Sequence, residues 1–355
     1  MLSKRSLLRS LLAGTGAAAA GMSFTGGVSA QAQRLRFYNW DTYIGATTLA
    51  DFKAVAGVEV EMSLFASNDE LFSRIAGNGA AYDVIVPSSD YITRMVERGL
   101  LTTLDHSRLP NLANMSASFR DPSYDPGCAH SVPYTWLVLG LGFRKSRMKG
   151  YVPPNSWKWV FGSDRYSMAW LSEPADMMRL GAKYLGFNPN ALTLKEIGKV
   201  EKLLTKQAKH VKAFHQDDGQ DMLLAKEVDI VIEYNGDIAQ AMTEDSDLDF
   251  LVPKEGSLRT ADGWAIPKNA TNPDAAYRFL NYMMDAQVGA DISQTILYPT
   301  PNEAARSRTR DAYRNNQAIF PQGGLSLSDF ARWPGAATQQ AFEEAFARVR
   351  LAAGR

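Results

Sequence analysis

From Leu35 onward the chain alternates short apolar runs with amphipathic stretches. Leu35 to Tyr38 reads as a strand, Thr47 to Val55 as a helix and Val58 to Leu64 as a second strand. Ser67-Asn68-Asp69-Glu70 carries the serine-to-glutamate spacing of a capping box and opens the next helix. Asp83-Val84-Ile85-Val86-Pro87-Ser88 then reads as a buried strand stopped by proline. This rhythm of strand and helix predicts an α/β domain with a mostly parallel sheet.

The pattern changes around Ser131 to Gly142. There Val132-Pro133-Tyr134-Thr135-Trp136 and a glycine-spaced apolar run read as a strand crossing into a second domain. Beyond it the α/β rhythm resumes without visible sequence repetition. Thr193 to Glu196 forms another capping box whose helix continues to about Lys209, and Val228 to Ile232 reads as a buried strand ending in Glu233-Tyr234-Asn235-Gly236-Asp237. Phe250 to Val252 reads as a strand closed by Pro253. Asn272-Pro273 starts the helix carrying Tyr277, Leu280 and Met284, with asparagine as cap and proline first in the helix. Tyr298-Pro299-Thr300-Pro301-Asn302 reads as a rigid extended loop. No low-complexity linker separates the halves, so more than one crossing segment is expected to join them.

The first residues follow a different logic. Lys4, Arg5 and Arg9 precede an apolar, Ala/Gly-rich run from Leu11 to Met22, and Val28-Ser29-Ala30 is a small-residue cleavage signature. Residues 1–30 therefore read as a secretory signal, and the run is too short and glycine-rich for a stable membrane span. Ser3-Lys4-Arg5-Ser6-Leu7-Leu8 has a lysine where a twin-arginine signal begins with arginine, which leaves the export route open. Three of the 38 basic residues and none of the 38 acidic ones lie in this leader, so the remainder carries 35 against 38 and is slightly acidic. That balance, with no basic stripe interleaved with aromatics, argues against nucleic acid as a partner. Cys128 is the only cysteine, so an intramolecular disulfide is impossible despite the oxidising compartment. About 325 residues remain after the leader, enough for two domains stabilised by their cores.

In open α/β sheets ligands bind beyond the carboxyl ends of strands. Trp40, Ser88, Tyr234 and Asp237 each stand just after a predicted strand. Taken singly each has a plainer role: Trp40 as packing, Ser88 as a helix cap, Asp237 as a turn or cap residue. Their coincidence at equivalent strand ends favours a site.

Phe37-Tyr38-Asn39-Trp40 with Tyr43, Tyr82 to Ser88, Asn235-Gly236, Ala265-Ile266-Pro267 and Tyr298-Pro299-Thr300-Pro301-Asn302 resemble the bacterial spermidine/putrescine-binding proteins of polyamine ABC transporters. The resemblance runs in order along the chain after the leader and is weakest around Gly335-Ala336-Ala337 and beyond. It implies a two-lobed α/β periplasmic-binding-protein fold of type II, each lobe a mixed, mostly parallel sheet flanked by helices, with the ligand cleft between. Lobe 1 is expected at 31–137 and 261–306, lobe 2 at 138–260 and 307–355. The implied protein is a periplasmic receptor that closes on a polyamine, putrescine or spermidine, and delivers it to a membrane permease without cofactor or metal.

Position by position, the resemblance assigns Trp40 and Tyr43 to one wall, with Ser88 facing them. Glu173 and Asp176 occupy the family's acidic pair, within Ser172-Glu173-Pro174-Ala175-Asp176. Tyr234 stands where a tryptophan is usual, and Asp237 matches the aspartate of putrescine-preferring members. Asp262 matches the acid ahead of the Ala-Ile-Pro strand, and Tyr298 the family's tyrosine. Four positions depart. Thr260 and Ala331 replace an aromatic and a glutamine found in spermidine-preferring members. Asp90 stands where an aromatic is common, and Thr42 where an acid is. Asp90 joins the candidate site, and a helix-start aspartate is its plainer role.

The chemistry agrees independently. An ammonium has three donors and needs carboxylates, while its methylene chain needs flat apolar walls, which Trp40, Tyr43, Tyr234 and Tyr298 supply with cation–π attraction. Three other readings stay open. Glu173 and Asp176 are a possible general acid and base, although no Ser-His-Asp order, phosphate loop or His-Glu-x-x-His occurs and His106, His130, His210 and His215 are scattered. A tyrosine-based metal receptor is possible on a similar fold. A third reading keeps the fold and changes the solute to agmatine, an opine or a betaine.

Overall fold

The structure, a computed structural model, describes residues 33–77, 81–148, 155–216, 218–321 and 324–354. The leader expected over residues 1–30 lies outside the described residues. Ten strands appear among those described: β1 (Gln33–Asn39), β2 (Val58–Leu64), β3 (Val84–Ile85), β4 (Ser131–Arg144), β5 (Met168–Leu171), β6 (Val211–His215), β7 (Ile230–Tyr234), β8 (Leu248–Leu251), β9 (Ser257–Ala265) and β10 (Leu327–Phe330). They join in the order β2-β1-β3-β9-β4-β7-β5-β6, with β10 beside β9 and β8 beside β4.

The parallel pairs lie toward the two ends. β1 pairs with β2 and β3, and β5 with β6 and β7, all parallel. The centre is antiparallel, because β9 runs against β3 and β4, and β4 runs against β7 and β8. β10 pairs with β9 in parallel, so the sheet is mixed with more parallel than antiparallel pairings, as expected, and its antiparallel pairs gather where β9 and β4 cross. The crossing strand is the cause. β4 is 14 residues long; its first part, Ser131 to Val138, pairs with β9, and from Leu139 it pairs with β7 and β8. Pro133 has no N–H for the ladder, and the register with β9 shifts between Pro133 and Thr135.

Local expectations hold with small shifts. Thr193 caps the helix Leu194–Ala208 with both capping-box bonds present. At Ser67 only one half forms: its hydroxyl accepts from Glu70 N–H, while the Glu70 carboxylate accepts from Ala66 N–H at 3.0 Å instead of from Ser67. Asn272 occupies the cap position of the helix Pro273–Met283 but makes no side-chain cap bond. The buried Asp83 instead fixes the chain just ahead of the helix, accepting from Thr271 and Asn272 N–H and from Arg36 N–H. That carboxylate ties β1 and the β3 strand to the helix.

The buried side chains form separate cores on either side of the crossing strands. One joins Leu35, Phe37, Phe52 and Val84 to Phe279, Leu280 and Met283. Another packs Trp157, Trp170, Met178 and Leu204 around Phe342 and Phe346 of the C-terminal helix Ala336–Ala352. At about 25 cal/mol per Å² of apolar surface, each such core is the dominant stabilising term of its region. Cys128 is buried and free.

Candidate functional site

Strand ends and helix starts converge between these cores. A cavity of about 300 Å³ is lined by Trp40, Tyr43, Ser88, Tyr234, Asp237, Asp262 and Tyr298 among others. An adjoining cavity of about 270 Å³ is lined by Trp40, Asp69, Glu173, Asp176 and Tyr234. Trp40, Asn68 and Tyr234 belong to both, so the two are chambers of one cleft. Nine of the ten residues singled out from sequence therefore line it.

Asp262 is the anchor of the first chamber. It sits on β9, 3% exposed, and accepts from Tyr43 Oη at 2.9 Å and Ser88 Oγ at 2.7 Å. Ser88 holds the cap position of the helix Ser89–Glu97 but makes no cap bond, because its hydroxyl serves Asp262. Asn68 locks Ser88 in turn, accepting from its N–H at 3.0 Å and donating to its Oγ at 2.9 Å. Across the chamber Tyr298 donates to Asp237 at 2.5 Å, in the first turn of the helix Asn235–Glu244. Gly236 makes this possible, since a Cβ there would stand 2.3 Å from the Tyr298 ring.

The tyrosines thus play a different part from the one expected. Tyr43 and Tyr298 are almost buried, meet edge to face at 5.2 Å, and present hydroxyls to carboxylates rather than open ring faces. Burial and the neighbouring Asp262 push the Tyr43 phenol well above its ordinary value, so it remains a donor. Flat walls come from Trp40 and Tyr234, both partly exposed. Trp40 donates its indole N–H to Val86 O at 2.9 Å and leans on Phe65.

The second chamber is charged and less compensated. Glu173 holds the cap position of the helix Pro174–Tyr184 and Asp176 lies in its first turn, where the helix dipole favours anions. Burial outweighs the dipole. Desolvation, then Asp176, Asp90 and Asp69, push Glu173 up to about 8, against one opposing bond from Ala175 N–H. Desolvation and Asp90 push Asp176 up to about 6, although Tyr234 Oη donates to it at 2.6 Å and Arg179 is near. A carboxyl pair held partly protonated this way has a strong preference for an arriving cation.

Asp90 is the one candidate outside both chambers. Its carboxylate pairs with Arg179 Nη1 at 3.1 Å, and Arg179, 1% exposed, also donates to Arg332 O at 2.6 Å. It thereby connects the helix Ser89–Glu97 to the helix Pro174–Tyr184 and lines neither chamber.

Several lining residues escaped the sequence reading. Asn68 looked like an ordinary first-turn residue. Gln220 and Asp221 follow β6, which the apolar pattern did not separate as a strand; applying the strand-end rule there would have found them. Glu244 and Asp221 are exposed acids at the cavity margin. Thr42 lines the same cavity at a φ of 49°, a left-handed conformation unusual for a β-branched residue, with its N–H held by the Asp41 carboxylate at 2.9 Å. Among the described residues no group of three or more His, Cys, Asp or Glu side chains is arranged to hold a metal, and no helix is long and apolar enough to cross a membrane.

Comparison with known proteins gives a consistent result. The family described as bacterial extracellular solute-binding protein matches residues 47–321. The chain is 29% identical over 354 residues to the putrescine-binding periplasmic protein SpuD of Pseudomonas aeruginosa, covering 93% of this chain and 96% of the relative. It is 30% identical to the spermidine/putrescine-binding periplasmic protein of Salmonella typhimurium, covering 88% and 89%. Among solved structures, the spermidine/putrescine ABC transporter substrate-binding protein PotD of Streptococcus pneumoniae superposes with a TM-score of 0.80 at 25% identity, over 90% of this chain and 99% of that one.

Proposed function

This chain belongs to the bacterial extracellular solute-binding proteins, and on that premise we propose that it captures a polyamine, putrescine or spermidine, and hands it to the permease of an ABC transporter. The observation that carries the reading is the distribution of acids: Asp262 and Asp237 in one chamber, Glu173 and Asp176 in the other, with Trp40 and Tyr234 between them. A chain of methylenes ending in ammonium groups matches that order. The ammonium donors meet carboxylates, and the methylenes lie against the two flat side chains, each ring adding about 0.5–2 kcal/mol by cation–π attraction.

The mechanism is reversible capture. Residues 31–137 with 261–306 form one lobe and 138–260 with 307–355 the other, with β4 and β9 as the crossing strands. Asp262 and Ser88 belong to the first lobe, and Glu173, Asp176, Tyr234 and Asp237 to the second. A dication touching both gains contacts only when the lobes are close, so it shifts the population toward the closed state. The permease then meets a compact, loaded receptor. Glu173 and Asp176 act as counter-charges and not as acid and base, so the amine leaves unchanged. The protein works in the periplasm after cleavage near Ala30.

Calorimetry on the chain lacking residues 1–30 tests this, with putrescine, spermidine, agmatine, γ-aminobutyrate and a betaine as titrants. Saturable, stoichiometric binding of a diamine or triamine, with weaker or no binding of the zwitterions, is expected. Tight binding of a zwitterion without polyamine binding would overturn the assignment. Mass spectrometry of the recovered amine tests for turnover, and N-terminal sequencing of the exported protein tests the cleavage site.

A further inference from the structure

The crossing strands carry a second groove on the face turned away from the cleft. Side chains alternate along a strand, and here the alternation separates two sites. On β4, Thr135 contacts Tyr43 and Leu137 lines the cleft, while Trp136 between them points the other way. On β9, Thr260 and Asp262 line the cleft, while Arg259 turns to the opposite face. There a groove of about 220 Å³ opens, walled by Phe119, Trp136 and Phe320 and reached by Arg259 and Arg306.

The two guanidiniums are short of acceptors. Arg259 lies over the Phe330 ring at 4.0 Å and Arg306 over the Phe320 ring at 4.6 Å. In both, Nε–H is removed from solvent and has no hydrogen-bond partner. The Asp329 carboxylate stands 3.8 Å from Arg259, beyond hydrogen-bond length, and is half exposed. Glu303 precedes Arg306 by one turn at the groove's edge and is exposed; no ion pair to Arg306 occurs among the described residues. Burial also holds the Arg259 guanidinium below its ordinary value, the sign of a cation that lacks full compensation. Ser116 and Thr300 contribute to the lining.

A planar carboxylate satisfies a guanidinium with parallel N–H···O bonds, and with both Nε atoms withdrawn from solvent the Nη groups are the donors left for an occupant of the groove. Trp136 and Phe320, with ring centroids 6.3 Å apart and planes tilted by 58°, supply an apolar corner for the body of such an ion. The volume lies below the roughly 300 Å³ at which drug-sized pockets begin, so the occupant is small. We propose that this groove is a second binding site, for a small aromatic carboxylate held by Arg259 and Arg306 against Trp136 and Phe320.

Fluorobenzoate, followed by fluorine NMR and calorimetry on the chain lacking residues 1–30, is the probe. One equivalent is expected to bind, with Arg306→Met and Arg259→Met each weakening it by about tenfold or more. Arg306→Lys, which keeps the charge but loses the planar guanidinium fork, should fall between wild type and Arg306→Met. Melting curves of the unliganded variants control for folding, and if Arg259→Met fails to fold, the Arg306 pair carries the test. Inorganic phosphate is the competing anion. Binding of phosphate without fluorobenzoate, fluorobenzoate binding unchanged in Arg306→Met, or no binding at all would each overturn the proposal. Amine titrations of Arg306→Met should match wild type, so failure here and failure of the polyamine reading are separately visible.

Discussion

The two chambers of the cleft hold their acids in opposite ways. In the first, Asp262 is supplied with donors by the protein: Tyr43 and Ser88 hold its two oxygens, and Asn68 fixes Ser88. In the second, burial removes the water that would have compensated Glu173 and Asp176, and Glu173 is crowded further by Asp176, Asp90 and Asp69, and Asp176 by Asp90. One end is prearranged and the other is left under electrostatic strain that a cation relieves. A receptor built this way has one fixed point to orient a ligand and one responsive point that changes charge on binding.

The largest expected effect comes from the fixed point. Asp262→Asn leaves an ammonium without its counter-charge and places an NH2 against one of the two hydroxyls, Tyr43 or Ser88, that donate to the carboxylate. A loss of about 3–5 kcal/mol in polyamine binding is expected, roughly a hundredfold to several thousandfold. Calorimetry measures it, and a melting curve checks that the fold survives. Retention of near-wild-type affinity would mean that the first chamber is not where the ammonium sits.

The responsive end predicts a pH dependence and its sign. Glu173 at about 8 and Asp176 at about 6 lie above the ordinary 4.5 and 3.8, so the ligand-free protein holds protons the unfolded chain would have released. Ligand-free stability therefore falls as pH rises through that window. Amine affinity moves the opposite way: it strengthens from about pH 6 to about 8, levels off above, and binding releases protons. Calorimetry at neutral pH in two buffers of different ionisation enthalpy counts them. Glu173→Gln should remove the upper part of this dependence and leave a step near 6, with a loss of about 1.5–3 kcal/mol in binding at pH 8. A flat profile in the wild type would erase the contrast between chambers.

Asp237→Asn tests whether the first chamber needs its second acid. Asp237 is partly exposed and its loss is expected to cost about 1–2 kcal/mol, with Tyr298 still able to donate to the amide oxygen. The smallest effect on amine binding belongs to Asp90→Asn, less than about tenfold. Its effect falls on stability. Arg179 is 1% exposed and loses its charged partner while keeping Arg332 O, which lowers the melting point by the equivalent of about 1.5–3 kcal/mol. If Asp90→Asn instead lost binding as severely as Asp262→Asn, the residue would belong to the cleft.

Much of this was legible from one dimension. Val58–Leu64, the capped helix Leu194–Ala208 and the helix after Pro273 follow from apolar periodicity and cap residues, which act over a few positions. The strand-end rule located Trp40, Ser88, Tyr234 and Asp237 because it depends on sheet topology alone. Glu173, Asp176, Asp262 and Tyr298 carry no local signal and came from resemblance. Which pairings of the mixed sheet are antiparallel was not legible, because the residues of β4 look alike whichever neighbour they pair with.

What the chain determined by itself is the elements with clear periodicity or caps, the leader-like pattern of residues 1–30 and the stock of acids and aromatics at strand ends. Only the tertiary structure decided what each group does: Ser88 gives up its helix cap to serve Asp262, Tyr43 becomes a donor rather than a wall, and Asp90 is drawn to Arg179. Propensity is set by neighbours a few residues away, whereas the state of a carboxyl is set by the donors, charges and water within hydrogen-bond reach. For Asp262 one of those donors lies 219 residues away in sequence, and only folding brings it near.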